Sequence, residues 1–438
     1  MPVDRPNSKP HLLVLSGVWP HVFGNREAAN VIAHEIVSHL ADSGRFRLTY
    51  CVVNARETAR PEAAAPEIDR LAACGVRFLK PVRISAVAIA NRWWQKLIAI
   101  AAGRPDRVMV GIDRHPELIS RLAGDMPDAV IVIWAEQAGY VASQLPCIRF
   151  NYAGNPDHKV LAGRLELAAR LERSSFQGSS VRRRLLHQVV RLAHLKAMRR
   201  YDLMWNVAAN DAADYARTGV PARYMQNMWP SAVSADWEER RGRSEQLRPL
   251  KIVGNVGNLD ATGNSFGLLT IAESLVPALK RQLGDGGFEI HLFGGGRPHP
   301  SVAPLLADSH LLIRGFVDDL DAEILSAPIF LVANNSRSFK VGHTRFLHAW
   351  SLGACVIGFS DSIEAMPEIR HGENALMGET PEEVAELIVG AAKDPQLRKR
   401  VAAGGVETLQ RFFAPPRIVE QMMRDIETTL AQRRSGDE

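Results

Sequence analysis

The chain has 438 residues and a mass of 48.3 kDa, with 46% hydrophobic and 23% charged residues, the balance of an ordinary globular protein too long for one core. No apolar run approaches the roughly 18 residues of a membrane span. Cys51, Cys74, Cys147 and Cys355 are scattered without a C-x-x-C pair, which argues against a disulfide framework or a zinc site. The net charge of +5 and a pI near 9.1 suit an anionic ligand or an anionic membrane surface without requiring either. The first residues carry a strand-length apolar run and no signal-peptide core, so the expected location is cytoplasmic.

Residues 11–17 (HLLVLSG) predict a buried first strand. Beyond a loop, Ala29, Ile32, Ala33, Ile36, Val37 and Leu40 recur at helical spacing. Gly24 and Asn25 fall where that helix begins; they read either as a turn with its cap or as a ligand-receiving loop. His34 and His39 are five apart, which is not a metal-ligand spacing on one helix face. Strands are expected at 48–54, 76–82, 129–134 and 147–152, with helical segments between them. One of those segments carries Arg92, Trp93, Trp94 and Lys96, its tryptophans readable as core or as membrane anchors. Strands alternating with helices predict an α/β sheet of Rossmann type.

Residues 181–200 (VRRRLLHQVVRLAHLKAMRR) contain no acidic residue and form a basic amphipathic helix. Such a helix is either a core helix with a solvated face or a contact for the anionic inner face of a membrane. A strand and helix at 201–219 close the first half. Periodicity then fails and charge accumulates. The division that results is 1–228, a linker at 229–250, 251–410, and a helical segment at 411–438 crossing back to the first domain.

The second half restarts with a strand at 251–254 running into Gly257, then a helix through Leu268, Leu269, Ile271, Ala272 and Leu275. Further strands are expected at 288–293, ending in Gly294, Gly295 and Gly296, then at 310–317 and 328–333. Residues 334–358 (NNSRSFKVGHTRFLHAWSLGACVIG) hold a loop, a helix on Phe346, Leu347, Ala349, Trp350 and Leu352 with Gly353 to end it, and the strand 354–357. In this βαβ unit the loop delivers His343 and Thr344 to a helix start, where free N–H groups and the helix dipole attract an anion. Arg345 adds a positive charge, so the stretch predicts a phosphate site. No G-x-G-x-x-G comes after the first strand, which argues against a dinucleotide-dependent oxidoreductase.

With two Rossmann-type halves, the chain resembles the GT-B glycosyltransferases, specifically family 4 (glycosyl transferases group 1), most closely from Gly257 to about Phe413. VGHTRFLHAWSLGACVIG is similar to the family's G-x-x-[KR]-x-L-E-A-x-A-x-G-x-P-V-V signature. GNLDATGNSFGLLTIAESLVPAL is similar to its glycine turn leading to Asn264, with Pro277 expected to close the helix. The resemblance implies that Arg345 holds a donor diphosphate over Gly257 and Asn258, with Asn264 where many relatives have Lys and Asn258 where they have Arg. It implies that Gly294, Gly295 and Gly296 line the nucleotide end and that His343 and Thr344 present backbone to phosphate. Gly24 and Asn25 match the glycine loop that closes on donor and acceptor. Two departures stand out: His348 replaces the ribose-binding glutamate, and Lys340 an earlier glutamate. Neutral His offers one acceptor nitrogen where a carboxylate accepts two hydroxyls.

The resemblance further implies two domains facing across a cleft. It implies transfer of a sugar from a nucleoside diphosphate sugar to a glycan or lipid-linked acceptor, with retention, as in polysaccharide biosynthesis. Arg345 and Lys340 would neutralise the leaving diphosphate, with no metal or other cofactor and no nucleic acid as partner. The alternative, favoured by His348, Asn258 and Asn264, is a catalytically silent GT-B module that binds a glycan, a nucleotide or a partner protein.

Overall fold

The computed structural model describes residues 9–22, 27–54, 60–83, 98, 125–143, 145–171, 178–230, 237, 239, 249–333, 336–338, 340 and 343–436. Arg92, Trp93, Trp94 and Lys96 lie outside them. The chain divides into two compact units. One comprises Met1–His158, Ser180–Met225 and Pro415–Glu438, the other Lys159–Ser179 and Gln226–Ala414.

In the first unit, β1 (His11–Ser16), β2 (Arg47–Asn54), β3 (Arg77–Phe78), β5 (Ala129–Ile133), β6 (Ile148–Ala153), β7 (Leu203–Asn206) and β8 (Ala222–Tyr224) form a parallel sheet ordered β3-β2-β1-β5-β6-β7-β8. β4 (Val82–Arg83) also pairs with β2. All of β1 and β5 is buried, which is why both read as unbroken apolar runs and not as alternating ones. The strand expected at 76–82 is two short pieces, β3 and β4. After Leu79 donates to the Tyr50 carbonyl (2.8 Å), Pro81 has no N–H to continue the ladder. Helix Ala28–Ser43 starts with a reciprocal cap between Glu27 and Asn30 and ends on Gly44 in the left-handed conformation. Helix Pro415–Gly436 is fastened to this unit by Trp205 Nε1 donating to Asp425 (2.8 Å) and by the Arg45–Glu420 pair (3.1 Å).

A buried polar network lies on this unit's second half. Tyr140 Oη donates to Asp157 Oδ2 at 2.7 Å, His194 Nδ1 is 2.7 Å from the same hydroxyl, and His194 Nε2 is 2.6 Å from Tyr215 Oη. A carboxylate only accepts, so the direction of the chain is fixed: Tyr215 donates to Nε2, Nδ1–H donates to Tyr140, and Tyr140 donates to Asp157. Burial holds the His194 pKa down to about 3.

In the second unit, β9 (Leu250–Gly254), β10 (Phe288–Phe293), β11 (Leu311–Gly315), β12 (Ile329–Val332), β13 (Cys355–Phe359) and β14 (Leu376–Gly378) are parallel in the order β11-β10-β9-β12-β13-β14. The helix after β9 does not stop at Pro277 as expected. It runs from Thr262 to Thr270, widens to a π-turn over Ile271–Leu275, and continues as Val276–Leu283 with Pro277 in its first turn. Proline offers no N–H to the carbonyl four residues back and crowds it; the wider turn absorbs both defects. Trp350 is fully buried, donates to the Asn374 carbonyl (2.9 Å) and packs edge-on to Phe346 and against Phe413. Gly405, on helix Pro395–Phe412, lets that indole lie flush: a Cβ there would overlap the ring.

Two outcomes are expected from this packing. Trp350→Ala lowers stability by about 3–5 kcal/mol in denaturant titration of the second unit's transition, and Gly405→Ala destabilises in the same direction. His194 has a folded pKa below its unfolded value, so the unfolded chain binds the extra proton as pH falls through 6.5, and stability drops with it. The melting temperature of wild type therefore falls more steeply between pH 7 and 5 than that of His194→Gln.

Candidate functional site

β9 and β12 are neighbours from which the chain departs toward opposite sides of the sheet, and ligands of such sheets sit beyond the carboxyl ends at this reversal. The chain leaves β9 at Asn255, fully buried and with φ of 43°. Its Oδ1 accepts the N–H of Ala333, just past β12, at 3.2 Å, so one side chain ties the two strand ends together. Two residues on, Gly257 has φ of 125° and donates to the Phe293 carbonyl (3.0 Å). Gly294 comes directly after β10 with φ of 140°, and a Cβ on it would overlap the Gly257 carbonyl oxygen. Leu259 N–H reaches the Gly295 carbonyl at 2.8 Å. The loops after β9 and β10 thus lie backbone to backbone, an approach that glycine alone permits.

Asn264 enters from the first turns of helix Thr262–Thr270, 2% exposed, and donates to the Asn258 carbonyl at 2.6 Å. Its Oδ1 accepts from the Arg345 guanidinium, which also reaches Asn255 Oδ1 at 3.4 Å. Arg345 stands at the third position of helix His343–Ser351. Burial lowers its pKa to about 10, which leaves it protonated at neutral pH. A Cβ on Gly257 would lie 3.5 Å from that guanidinium and 3.3 Å from the Asn264 amide nitrogen. Gly257, Asn258, Asn264, Gly294, Gly295, Gly296 and Arg345 are therefore one constellation. His343 and Thr344 open the helix beside it, where the first backbone N–H groups have no intrahelical acceptor.

Lys340 is bound differently. Its ammonium pairs with Asp361 at 2.7 Å, a carboxyl whose pKa burial raises against the pull of the lysine, and it reaches the Ser336 carbonyl at 3.4 Å. His348, one helical turn beyond Thr344, meets Asp321 Oδ1 at 2.6 Å and lies against Trp229 with ring centres 5.2 Å apart. Gly24 and Asn25 lie outside the described residues. Among those that are described, no group of three or more His, Cys, Asp or Glu is placed to hold a metal ion. Sequence pattern alone passes over Asn255, Asp321 and Trp229. Asn255 carries the one available signal, an amide directly after a strand in GNVGN; the other two carry none.

Residues 250–394 match the family described as Glycosyl transferases group 1. No curated protein sequence matches the chain. Among solved structures, the chain is similar to sucrose-phosphate synthase from Thermosynechococcus elongatus, at 14% identity and a TM-score of 0.63 over 97% of this chain and 100% of that one. It is similar to HepE of Anabaena in complex with UDP and glucose, at 14% identity and a TM-score of 0.58 over 95% of this chain and 99% of that one. WaaG, a glycosyltransferase involved in lipopolysaccharide biosynthesis, gives 12% identity and a TM-score of 0.57 over 93% and 98% of the two chains. The chain is thus a GT-B-fold protein whose residues 250–394 match the glycosyl transferases of group 1.

Proposed function

We propose that the protein transfers a sugar from a nucleoside diphosphate sugar to a glycan or lipid-linked acceptor, with retention. The observation that carries this reading is the Arg345 guanidinium, held by Asn264 and Asn255 at a helix start beside the bare backbone of Gly257 and Gly294. A cation, free N–H groups and room for close approach are what a diphosphate needs. HepE of Anabaena holds UDP, and in another structure UDP-glucose, on the same fold, which supports such a donor here. As the glycosidic bond breaks, charge grows on the departing diphosphate, and Arg345 with the helix start stabilises it without a metal. Lys340 assists from its ion pair with Asp361. Because Asp321 only accepts, His348 carries a proton on Nε2; in the neutral ring the Nδ1 lone pair then accepts one ribose hydroxyl in place of the two a glutamate would take. The acceptor binds the first unit.

A silent binding module is the second reading, favoured by the commitment of His348 to Asp321. Transfer separates the two: release of free nucleoside diphosphate from a panel of nucleotide sugars with glycan acceptors supports the enzyme, and tight donor binding without release supports the module.

Helix Gly178–Met198 supports contact with an anionic bilayer at the inner face of the membrane. Leu185 and Leu192, two turns apart on one face, are 63% and 52% exposed, and Arg184 and Arg191 precede them. No helix among the described residues is long and apolar enough to cross a membrane.

Two measurements test these assignments. UDP, GDP or ADP raises the melting temperature of wild type, and Arg345→Ala weakens that nucleotide by about thirtyfold or more; an unchanged shift in the variant removes the phosphate site. The protein floats with phosphatidylglycerol vesicles but not phosphatidylcholine vesicles, and the Leu185→Ser/Leu192→Ser double variant binds about tenfold more weakly. Equal flotation of both proteins overturns the membrane contact.

A further inference from the structure

The carboxyl edge of the second sheet changes character from strand to strand. The loops after β10 and β9 are glycine turns, and Arg345 stands at the reversal between β9 and β12. One strand further along the edge, about 4.8 Å on, β13 ends at Phe359 and the chain turns through Ser360–Glu364. A diphosphate held at Arg345 has its nucleoside on one side and its sugar on the other. With the nucleoside over the glycines of the β10 side, the sugar points toward β13.

The ion pair of Lys340 with Asp361 occupies that end. The loop bearing Lys340 is fixed by Ser338, whose N–H donates to Ser336 Oγ at 3.2 Å and whose hydroxyl donates to Glu166 at 3.0 Å. An ammonium has three protons. Asp361 Oδ2 takes one at 2.7 Å and the Ser336 carbonyl another at 3.4 Å, which leaves one without an acceptor among the described residues. Asp361 is poorly housed for a carboxylate. Its Oδ1 is shielded from solvent without a donor among the described residues, and both burial and the nearby Glu364 oppose its charge. What it supplies is a negative charge against Lys340. Arg337 of the same loop is exposed, where water and salt screen it.

This end of the site therefore has a proton to donate and no net positive charge. A sugar carboxylate brought there would leave water for an ammonium already matched, beside Asp361 and Glu364 of its own sign. An uncharged sugar meets no such opposition and receives the remaining ammonium proton on one of its oxygens.

We propose that Asp361 sets the donor class: by cancelling the charge of Lys340 it admits a nucleoside diphosphate sugar whose sugar is uncharged and rejects the matching uronic acid. The proposal rests on the donor reading above and narrows it.

The test is calorimetric titration of the full chain with the glucose, galactose and mannose conjugates of whichever of UDP, GDP and ADP raises the melting temperature, and with the matching glucuronic, galacturonic and mannuronic acid conjugates. Wild type binds at least one neutral conjugate about tenfold or more tighter than its uronic acid. Asp361→Asn, which keeps the shape and removes the charge, narrows that ratio about tenfold, and the double variant Lys340→Gln/Asp361→Asn restores it. Comparing two sugars on one protein cancels any change in diphosphate affinity or folding. A nucleotide shift with no preference for the neutral conjugate in wild type, with an unchanged ratio in Asp361→Asn, or with a narrowed ratio that persists in the double variant overturns this assignment alone. Absence of any nucleotide shift overturns the donor site, and this assignment with it.

Discussion

Asn255 is the joint on which the second unit's site is hung. Where a parallel sheet reverses, the first backbone groups beyond two adjacent strands lose their ladder partners, and the Ala333 N–H is one of them. The Asn255 oxygen supplies that partner and, from the same atom, touches the Arg345 guanidinium. Holding it there has visible costs: φ of 43°, and a buried amide nitrogen without a partner among the described residues. An unmet buried donor costs on the order of 1–3 kcal/mol. Gly267 belongs to the same arrangement, since a Cβ there would overlap both the Asn255 amide nitrogen and the Ala333 carbonyl. Strain and an unmet donor gathered at a strand reversal mark a place where geometry is kept for a purpose other than stability.

The two units carry opposite electrostatics at the ends of their strands. In the second, a half-buried cation is supported by neutral amides, and the glycines on either side let backbone come close. In the first, burial keeps His194 neutral, and every proton in its chain points toward one carboxylate. One arrangement is suited to a dense negative charge; the other fixes the protons of a neutral network.

The parallel sheets were legible because a strand buried on both faces leaves an unbroken apolar run, and residues 12–15, 129–133 and 329–332 each do. The cluster of Gly257, Asn264, Gly294 and Arg345 was legible because each comes after a strand or opens a helix, positions that sequence spacing reports. Pairings between distant positions were not. Asn255 with Arg345, Asp321 with His348 and Tyr140 with His194 are separated by 90, 27 and 54 residues, and nothing local announces them. Three-residue strands such as β8 and β14 are too short to show a period. Helix Pro395–Phe412 was masked by its paired glycines, one of which serves the Trp350 ring rather than ending the helix.

The π-turn at Ile271–Leu275 lets one continuous rod present two different azimuths. Each extra residue in a helix advances the side chains beyond it by about 100°. The portion bearing Asn264 can thus be aimed at Arg345 while the portion bearing Val276 and Leu279 stays seated in the hydrophobic interior. Ligand-facing and core-facing registers are thereby uncoupled within a single span, so the aim of one can drift over evolutionary time without repacking the other.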